Sequence, residues 1–530
     1  MLELVETRFV ISAAPSTKNF SPEASELVLF PLSKKVAGAR ELSSDAARWT
    51  PDAVAQFTRK RKELDEQLSG DIENALSPDE PAALRIHFNS GGTSLFLGID
   101  SRQSTFEINT ALRKCGEELI QAARGSKPAL SLRLDLRHLD DADARRVLPS
   151  FAFLCNASTW KPRQFGKKAK ASSGKKTASE ALTVEVLTRL NKAEAQALAL
   201  RGAALGNANN RVRTLADLPA NELNPKSYRQ KAVELCKELG LETEFLDYAE
   251  LEKRKAGAFL AVARADRTNG AGILHVTYKP SKAGKNKKKL ALIGKGICFD
   301  TGGYNIKTSH MLGMHGDMTG SAIALSMIAM YAELKVDFEI HTYLALAENL
   351  ISPTAYKPNE VVVACDGTAI EVVDTDAEGR MVLSDTLAIA RKEKPSLAID
   401  FATLTGAAIR SLDTRRGAVF TNQPELAARA IACGDRTGER VWNFPIGDDY
   451  RRELKSKIAD ILQCSASNNA DHIYAATFLS HFIGAETPWL HLDLVPAENK
   501  GGLGLVSSDT TGFGVFWADE MIREFFTSSS

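Results

Sequence analysis

Short apolar runs alternate with amphipathic stretches along most of this chain. Leu27-Val28-Leu29-Phe30 and Ser94-Leu95-Phe96-Leu97 read as strands, and Ser131 to Leu136 alternates polar and apolar residues with the period of a strand. Ala53 to Leu68 and Asp141 to Phe153 carry helical patterns, so residues 1 to about 156 suggest an α/β unit. Ala181 to Asn210 is rich in Ala, Leu and Glu and is expected to be a helical connector. Beyond it come a helix from Pro225 to Leu239, strands at Glu242 to Leu246 and Gly272 to Tyr278, and the apolar run Lys289 to Gly294. Phe338 to Leu346, Ala369 to Val373 and Leu397 to Thr405 are further strands, and a helix follows Arg380. Strands separated by helices predict a mostly parallel sheet flanked by helices. The expected fold class is therefore α/β in two domains. A smaller N-terminal α/β domain spans 1–180 and ends in a basic loop, a linker helix spans 181–213, and a larger C-terminal α/β domain spans 214–530.

Composition narrows the function classes. The 530 residues exceed what one core usually holds, and 44% hydrophobic with 25% charged residues is ordinary for a globular chain. A formal net charge of +1 gives no support for broad attraction to nucleic acid or membranes. Lys161 to Lys176 is strongly basic; it reads as an exposed loop, with a nucleic-acid patch as the sharper alternative. No stretch is long and apolar enough to span a bilayer, and the acidic start Met1 to Glu6 does not read as a signal peptide. The seven scattered cysteines form no CxxC pair, which suggests reduced thiols and a cytoplasmic setting.

Chemistry collects at the expected strand ends. The strand at Lys289 runs into Lys295-Gly-Ile-Cys-Phe-Asp300-Thr-Gly-Gly-Tyr-Asn-Ile-Lys307, and Asp317 heads an apolar helix, where it reads most simply as an N-cap. The strand Ala369 to Val373 leads into Asp374-Thr-Asp376-Ala-Glu378-Gly-Arg380, a strand-to-helix turn that glycine allows to be tight. Ligands in open α/β sheets bind outside the carboxyl ends of strands. Four acids (Asp300, Asp317, Asp376, Glu378) and three bases (Lys295, Lys307, Arg380) there suggest a two-metal hydrolytic site. A structural ion-pair network of the same residues is the alternative. Lysine would bind a metal only as the neutral amine, which burial between cations favours. There is no nucleophile elbow and no GxxxxGK[ST] phosphate loop.

The segments G-K-G-x-x-F-D-x-G-G-x-x-I-K, D-M-x-G-x-A, D-T-D-A-E-G-R and A-T-L-T-G-A resemble, in order and spacing, the leucine (cytosol) aminopeptidase family over roughly residues 210–520. The resemblance implies a dinuclear metallo-aminopeptidase that releases leucine or other apolar N-terminal residues from peptides. It implies that Lys295, Asp300, Asp317 and Glu378 hold one divalent ion and Asp300, Asp376 and Glu378 the other, the metals being Zn²⁺, Mn²⁺, Co²⁺ or Mg²⁺. Lys307 would polarise the peptide carbonyl, Arg380 would hold a bicarbonate serving as general base, and Met314, Thr403 and Leu404 would line the pocket. It further implies a homohexamer of two stacked trimers. A non-catalytic scaffold or DNA-binding protein on the same fold is the rival reading, supported only by the basic loop. The chain departs from the family pattern at Asp374, where Asn is usual, and at Ser465 to Ile473, which lacks the usual glycines.

Overall fold

The computed structural model describes residues 7–12, 25–31, 83–87, 93–99, 103–125, 132–137, 139–173, 182–280, 288–466 and 468–527. The expected helix at Ala53 to Leu68 lies outside them. The N-terminal part forms a six-stranded sheet from β1 (Thr7–Ser12), β2 (Ser25–Pro31), β3 (Ala83–His87), β4 (Thr93–Ile99), β5 (Leu132–Asp135) and β6 (Leu182–Leu187), in the order β1-β6-β5-β2-β4-β3. All its neighbours run parallel except β3 and β4. The helices Thr105–Gly125 and Asp141–Ala157 pack together beside it, the second opened by Asp140, whose carboxylate accepts the Asp143 N–H at 2.8 Å.

Two expectations change here. Residues 182–187 are a strand, not the start of a helix; Leu-Thr-Val-Glu-Val-Leu alternates with β-branched residues, and β6 pairs with both β1 and β5. The long helix begins only at Lys192 and runs to Ala216. Within the basic stretch, Gly166–Ser173 is a short helix with Lys167 and Lys168 exposed, rather than a loop throughout.

The second sheet has eight strands: β7 (Glu242–Leu246), β8 (Gly272–Tyr278), β9 (Lys289–Asp300), β10 (Glu339–Asn349), β13 (Leu397–Ala402), β14 (Gly417–Thr421), β15 (Val441–Asn443) and β17 (Trp489–Asp493), ordered β15-β14-β17-β13-β9-β10-β8-β7. The central strands β17, β13, β9 and β10 run parallel, while β8 and β7 on one side and β14 on the other join antiparallel. A small three-stranded sheet, β11 (Val361–Val363), β12 (Ala369–Glu371) and β16 (Ile461–Leu462), stands beside it.

Helices cover both faces, so β9, β10 and β13 are buried nearly throughout and read as continuous apolar runs. The helix Thr319–Leu334 lies unusually close to this sheet. A side chain at Gly294 would meet the Ser321 Cα at 2.3 Å, and one at Gly320 would meet the Phe401 carbonyl oxygen at 2.0 Å. That approach fixes the start of the helix, and with it Asp317, at the carboxyl ends of β9 and β13. The seven cysteines form no disulfide, and among the described residues no helix is long and apolar enough to cross a membrane.

Candidate metal centre

β9 delivers Asp300 at its last residue. The chain then turns through Gly302 and Gly303, both at positive φ (83° and 62°), a conformation glycine adopts without penalty. A Cβ at Gly302 would also meet the Asn305 carbonyl oxygen at 2.5 Å. Asp300 Oδ1 accepts the Gly302 N–H and the Asn349 side-chain amide, each at 2.8 Å. Asn349 reaches it because the β9–β10 register shifts between Ala347 and Asn349. The same amide donates to the Thr375 carbonyl at 3.0 Å and approaches Glu378 Oε2 at 3.4 Å.

The acidic turn after β12 is held from several sides. Asp374 Oδ1 accepts the Asp376 N–H at 2.8 Å, so the unexpected acid shapes the turn. Gln463 Oε1 accepts the N–H groups of Val373 and Asp374, both at 3.0 Å, and its amide donates to the Ala377 carbonyl at 3.0 Å. Thr375 Oγ1 donates to Gly302 O at 2.7 Å, which ties the turn to the end of β9. Glu378 opens the helix Glu378–Ala390. Gly379 leaves the space that Lys295 fills, since a Cβ there would lie 2.6 Å from Lys295 Cε. Carboxylate oxygens of Asp300, Asp376 and Glu378 consequently lie within 4.8 Å of one another.

Asp317 is not an N-cap. The helix begins at Thr319 with no side-chain cap, and the Asp317 carboxylate faces the acidic cluster instead. Its Oδ1 accepts from Lys295 Nζ at 2.8 Å and from Thr403 Oγ1 at 2.7 Å, while its buried Oδ2 has no hydrogen-bond partner. Lys295 Nζ also contacts Glu378 Oε1 and donates to the Thr403 carbonyl, both at 2.9 Å. Lys307 Nζ bridges Asp300 Oδ2 at 2.8 Å and Asp376 Oδ1 at 2.5 Å.

Four carboxylates thus share two ammonium groups, with Lys295, Asp300, Asp317 and Glu378 buried and Lys307 and Asp376 partly exposed. Burial, then repulsion from Glu378 and Asp300, pushes the Asp317 carboxyl up to about 8 against the pull of Lys295. Burial, with Asp300 and Glu378, pushes Asp376 up to about 7, and burial and Asp300 raise Glu378. Burial works against both lysine charges, but the surrounding acids outweigh it and raise both lysines.

Arg380, one turn into the helix, is buried; its Nη2 donates to Asp471 Oδ2 at 2.6 Å and its Nη1 to Gln463 O at 3.4 Å. Met314 lies in a single 3-10 turn before Asp317. The Leu404 N–H donates to Asp493 Oδ1 at 2.9 Å and the Thr405 hydroxyl to Asp493 Oδ2 at 2.8 Å, so Asp493 fixes the turn after β13. His310 is exposed and His315 lies by Asp217, and neither joins the acidic group. Sequence reasoning missed Asn349, Gln463 and Asp471. Only Asn349 carried a signal, as a polar residue ending a buried strand.

The residues fit a pair of divalent ions. The cluster has two more negative than positive side chains, and a buried carboxylate oxygen of Asp317 lacks a partner. Oxygen donors with one amine suit such cations. The profile of the cytosol aminopeptidase family, catalytic domain, matches residues 210–517. A probable cytosol aminopeptidase of Aquifex aeolicus is 38% identical over 329 residues, covering 62% of this chain and 66% of that protein, just under two thirds of its length. The probable cytosol aminopeptidase of Synechococcus sp. (strain CC9605) is 33% identical over 488 residues, 89% of this chain and 96% of that one. A solved structure of a mutant tomato leucine aminopeptidase superposes with a TM-score of 0.79 at 25% identity, covering 98% of this chain and 97% of its own. With a site of this make-up at the strand ends of a fold shared over nearly its whole length, the chain belongs to the cytosol aminopeptidase family.

Proposed function

We propose that this protein is a two-metal aminopeptidase that removes leucine or other apolar residues from the N-termini of peptides. The observation that carries the reading is the charge imbalance: three buried carboxylates and the half-buried Asp376 face two ammonium groups, and Asp317 keeps an unpaired oxygen. Lys295, Asp300, Asp317 and Glu378 would hold one ion, and Asp300, Asp376 and Glu378 the other. When bound, two such ions lower the pKa of a shared water from 15.7 toward about 7 and polarise a carbonyl oxygen.

The chain's own groups do the rest. Lys295 would hold an ion only after losing its proton, so loading the site would release acid to solvent. Lys307 stays cationic beside Asp300 and Asp376 and supplies positive charge where the carbonyl oxygen becomes negative. Met314, Thr403 and Leu404 border the substrate side chain, and Asp493 holds the Leu404 backbone against drift. Peptides are the substrates, the assembly is a homohexamer of stacked trimers, and the setting is the cytoplasm.

The test is a metal analysis joined to a substrate panel. Chelated protein should hydrolyse no leucyl-amide, and Mn²⁺, Co²⁺ or Zn²⁺ should restore the reaction. Metal-reconstituted protein that turns over no amino-acid amide would refute the reading.

A further inference from the structure

The resemblance assigns Arg380 an external bicarbonate, and the residues around Arg380 do not fit one. The guanidinium is 2% exposed, and its Nη2 already donates to Asp471 Oδ2 at 2.6 Å, a short charge-assisted bond. Nη1 faces the Gln463 carbonyl at 3.4 Å, and the buried Nε is the one nitrogen of the group with no hydrogen-bond partner among the described residues. A second anion on the same fork would stand beside the Asp471 carboxylate with no further cation between them, which costs rather than gains free energy. The position of Asp471 is built. It is the first residue of the helix Asp471–Ile483, which packs against the helix carrying Glu378 and Arg380. It lies within Ser465 to Ile473, the segment that departs from the family's glycine-rich pattern. Its side chain is 22% exposed, so the carboxylate is held by a buried cation yet open to solvent.

We propose that Asp471 is the anion of Arg380 in this chain, replacing bicarbonate as proton acceptor, so that the enzyme needs no external base there. This rests on the aminopeptidase reading. In the step concerned, an O–H bond of the attacking water breaks and its proton goes to Asp471. The oxygen bonds to the peptide carbonyl carbon, the C–N bond breaks, and the proton leaves Asp471 for the departing amine.

The experiment compares metal-loaded wild type, Asp471→Gly and Asp471→Asn in CO₂-free buffer with and without added bicarbonate, reading leucyl-amide turnover and, by calorimetry, bicarbonate binding. Wild type should keep its rate without bicarbonate and bind none. Asp471→Gly should lose about 10²-fold in kcat, the usual worth of a general base, regain most of it with bicarbonate, and bind the ion. Asp471→Asn, which fills the same space without charge, should be slow and stay slow. Wild type that slows when bicarbonate is removed, or that binds it, overturns the proposal, as does an Asp471→Gly variant indifferent to the ion. If no variant or wild type turns over any amide, the aminopeptidase reading has failed. Calorimetry then still decides the place of Asp471, by whether bicarbonate binds wild type or only Asp471→Gly.

Discussion

Two regions of this molecule bury carboxylates among cations, and they differ in balance. Around Asp519, which is fully buried, Arg201 donates at 2.5 Å, Arg523 at 3.0 Å and the Tyr331 hydroxyl at 3.0 Å. Its neighbour Glu520 faces Arg201 at 2.7 Å and Arg436 at 2.8 Å. Burial alone would raise the Asp519 carboxyl, but Arg201 and Arg523 hold it below the usual range. In the candidate metal centre the same residue types move the other way, Asp317 and Asp376 being raised. A carboxylate cluster that completes its own charge is part of the architecture. One that falls two positive charges short is waiting on chemistry.

The comparison breaks most decisively at Asp376. Asp376→Ala should lose bound metal and turnover together, measured by metal analysis and leucyl-amide assay on the same sample. A normal rate with this residue gone would put the acidic turn in the class of Asp519. Next in size is Lys307→Ala, which should keep its metal and lose about 10²–10³-fold in kcat, as when one stabiliser of a developing oxyanion is removed. Loss of metal with the rate would make Lys307 a brace for Asp300 and Asp376 rather than a partner of the substrate.

Asp519→Ala should do the reverse. Breaking a buried ion pair costs roughly 3–5 kcal/mol, read by urea unfolding, while kcat per folded molecule stays unchanged. The smallest effect concerns a third kind of buried acid. Among the described residues Glu439 meets no cation; it accepts the N–H groups of Gly514 at 3.0 Å and Trp517 at 2.8 Å, and burial pushes it up to about 7. A carboxyl raised on folding stabilises the protein at low pH, and that contribution fades as pH climbs from the ordinary 4.5 through about 7. Glu439→Gln should flatten this part of the melting-temperature profile, and an unchanged slope would show that Glu439 does not titrate there.

Much of the centre was legible because its acids ride on strongly patterned elements. Lys295 and Asp300 sit on one long apolar strand, and Asp376 and Glu378 sit in a turn between a β-branched run and a helix. Asp317 was harder. Its position before a helix suggests a cap, and only the approach of Lys295 and Thr403, remote in sequence, turns the carboxylate inward. Asn349, Gln463 and Asp471 act through contacts spanning 49, 86 and 91 residues, which no local period encodes. β6 was misread because alanine-rich sequence follows it directly. β7 and β8 were read as strands but not as antiparallel ones, and β14 was not read at all, because βα alternation reports only the parallel centre of a sheet.

The register shift that brings Asn349 beside Asp300 has one more consequence. Asp300 meets Asn349 across the β9–β10 ladder, and Lys295 meets Thr403 just beyond the β9–β13 ladder, each pair drawn from separate parts of the chain. Parallel ladders between distant segments form late and slowly. A chain still emerging from synthesis, or partly unravelled, therefore carries the acids but no blade. The proposed peptide-trimming power appears only when the strands have zipped, which spares the chain's own unfolded neighbours until then.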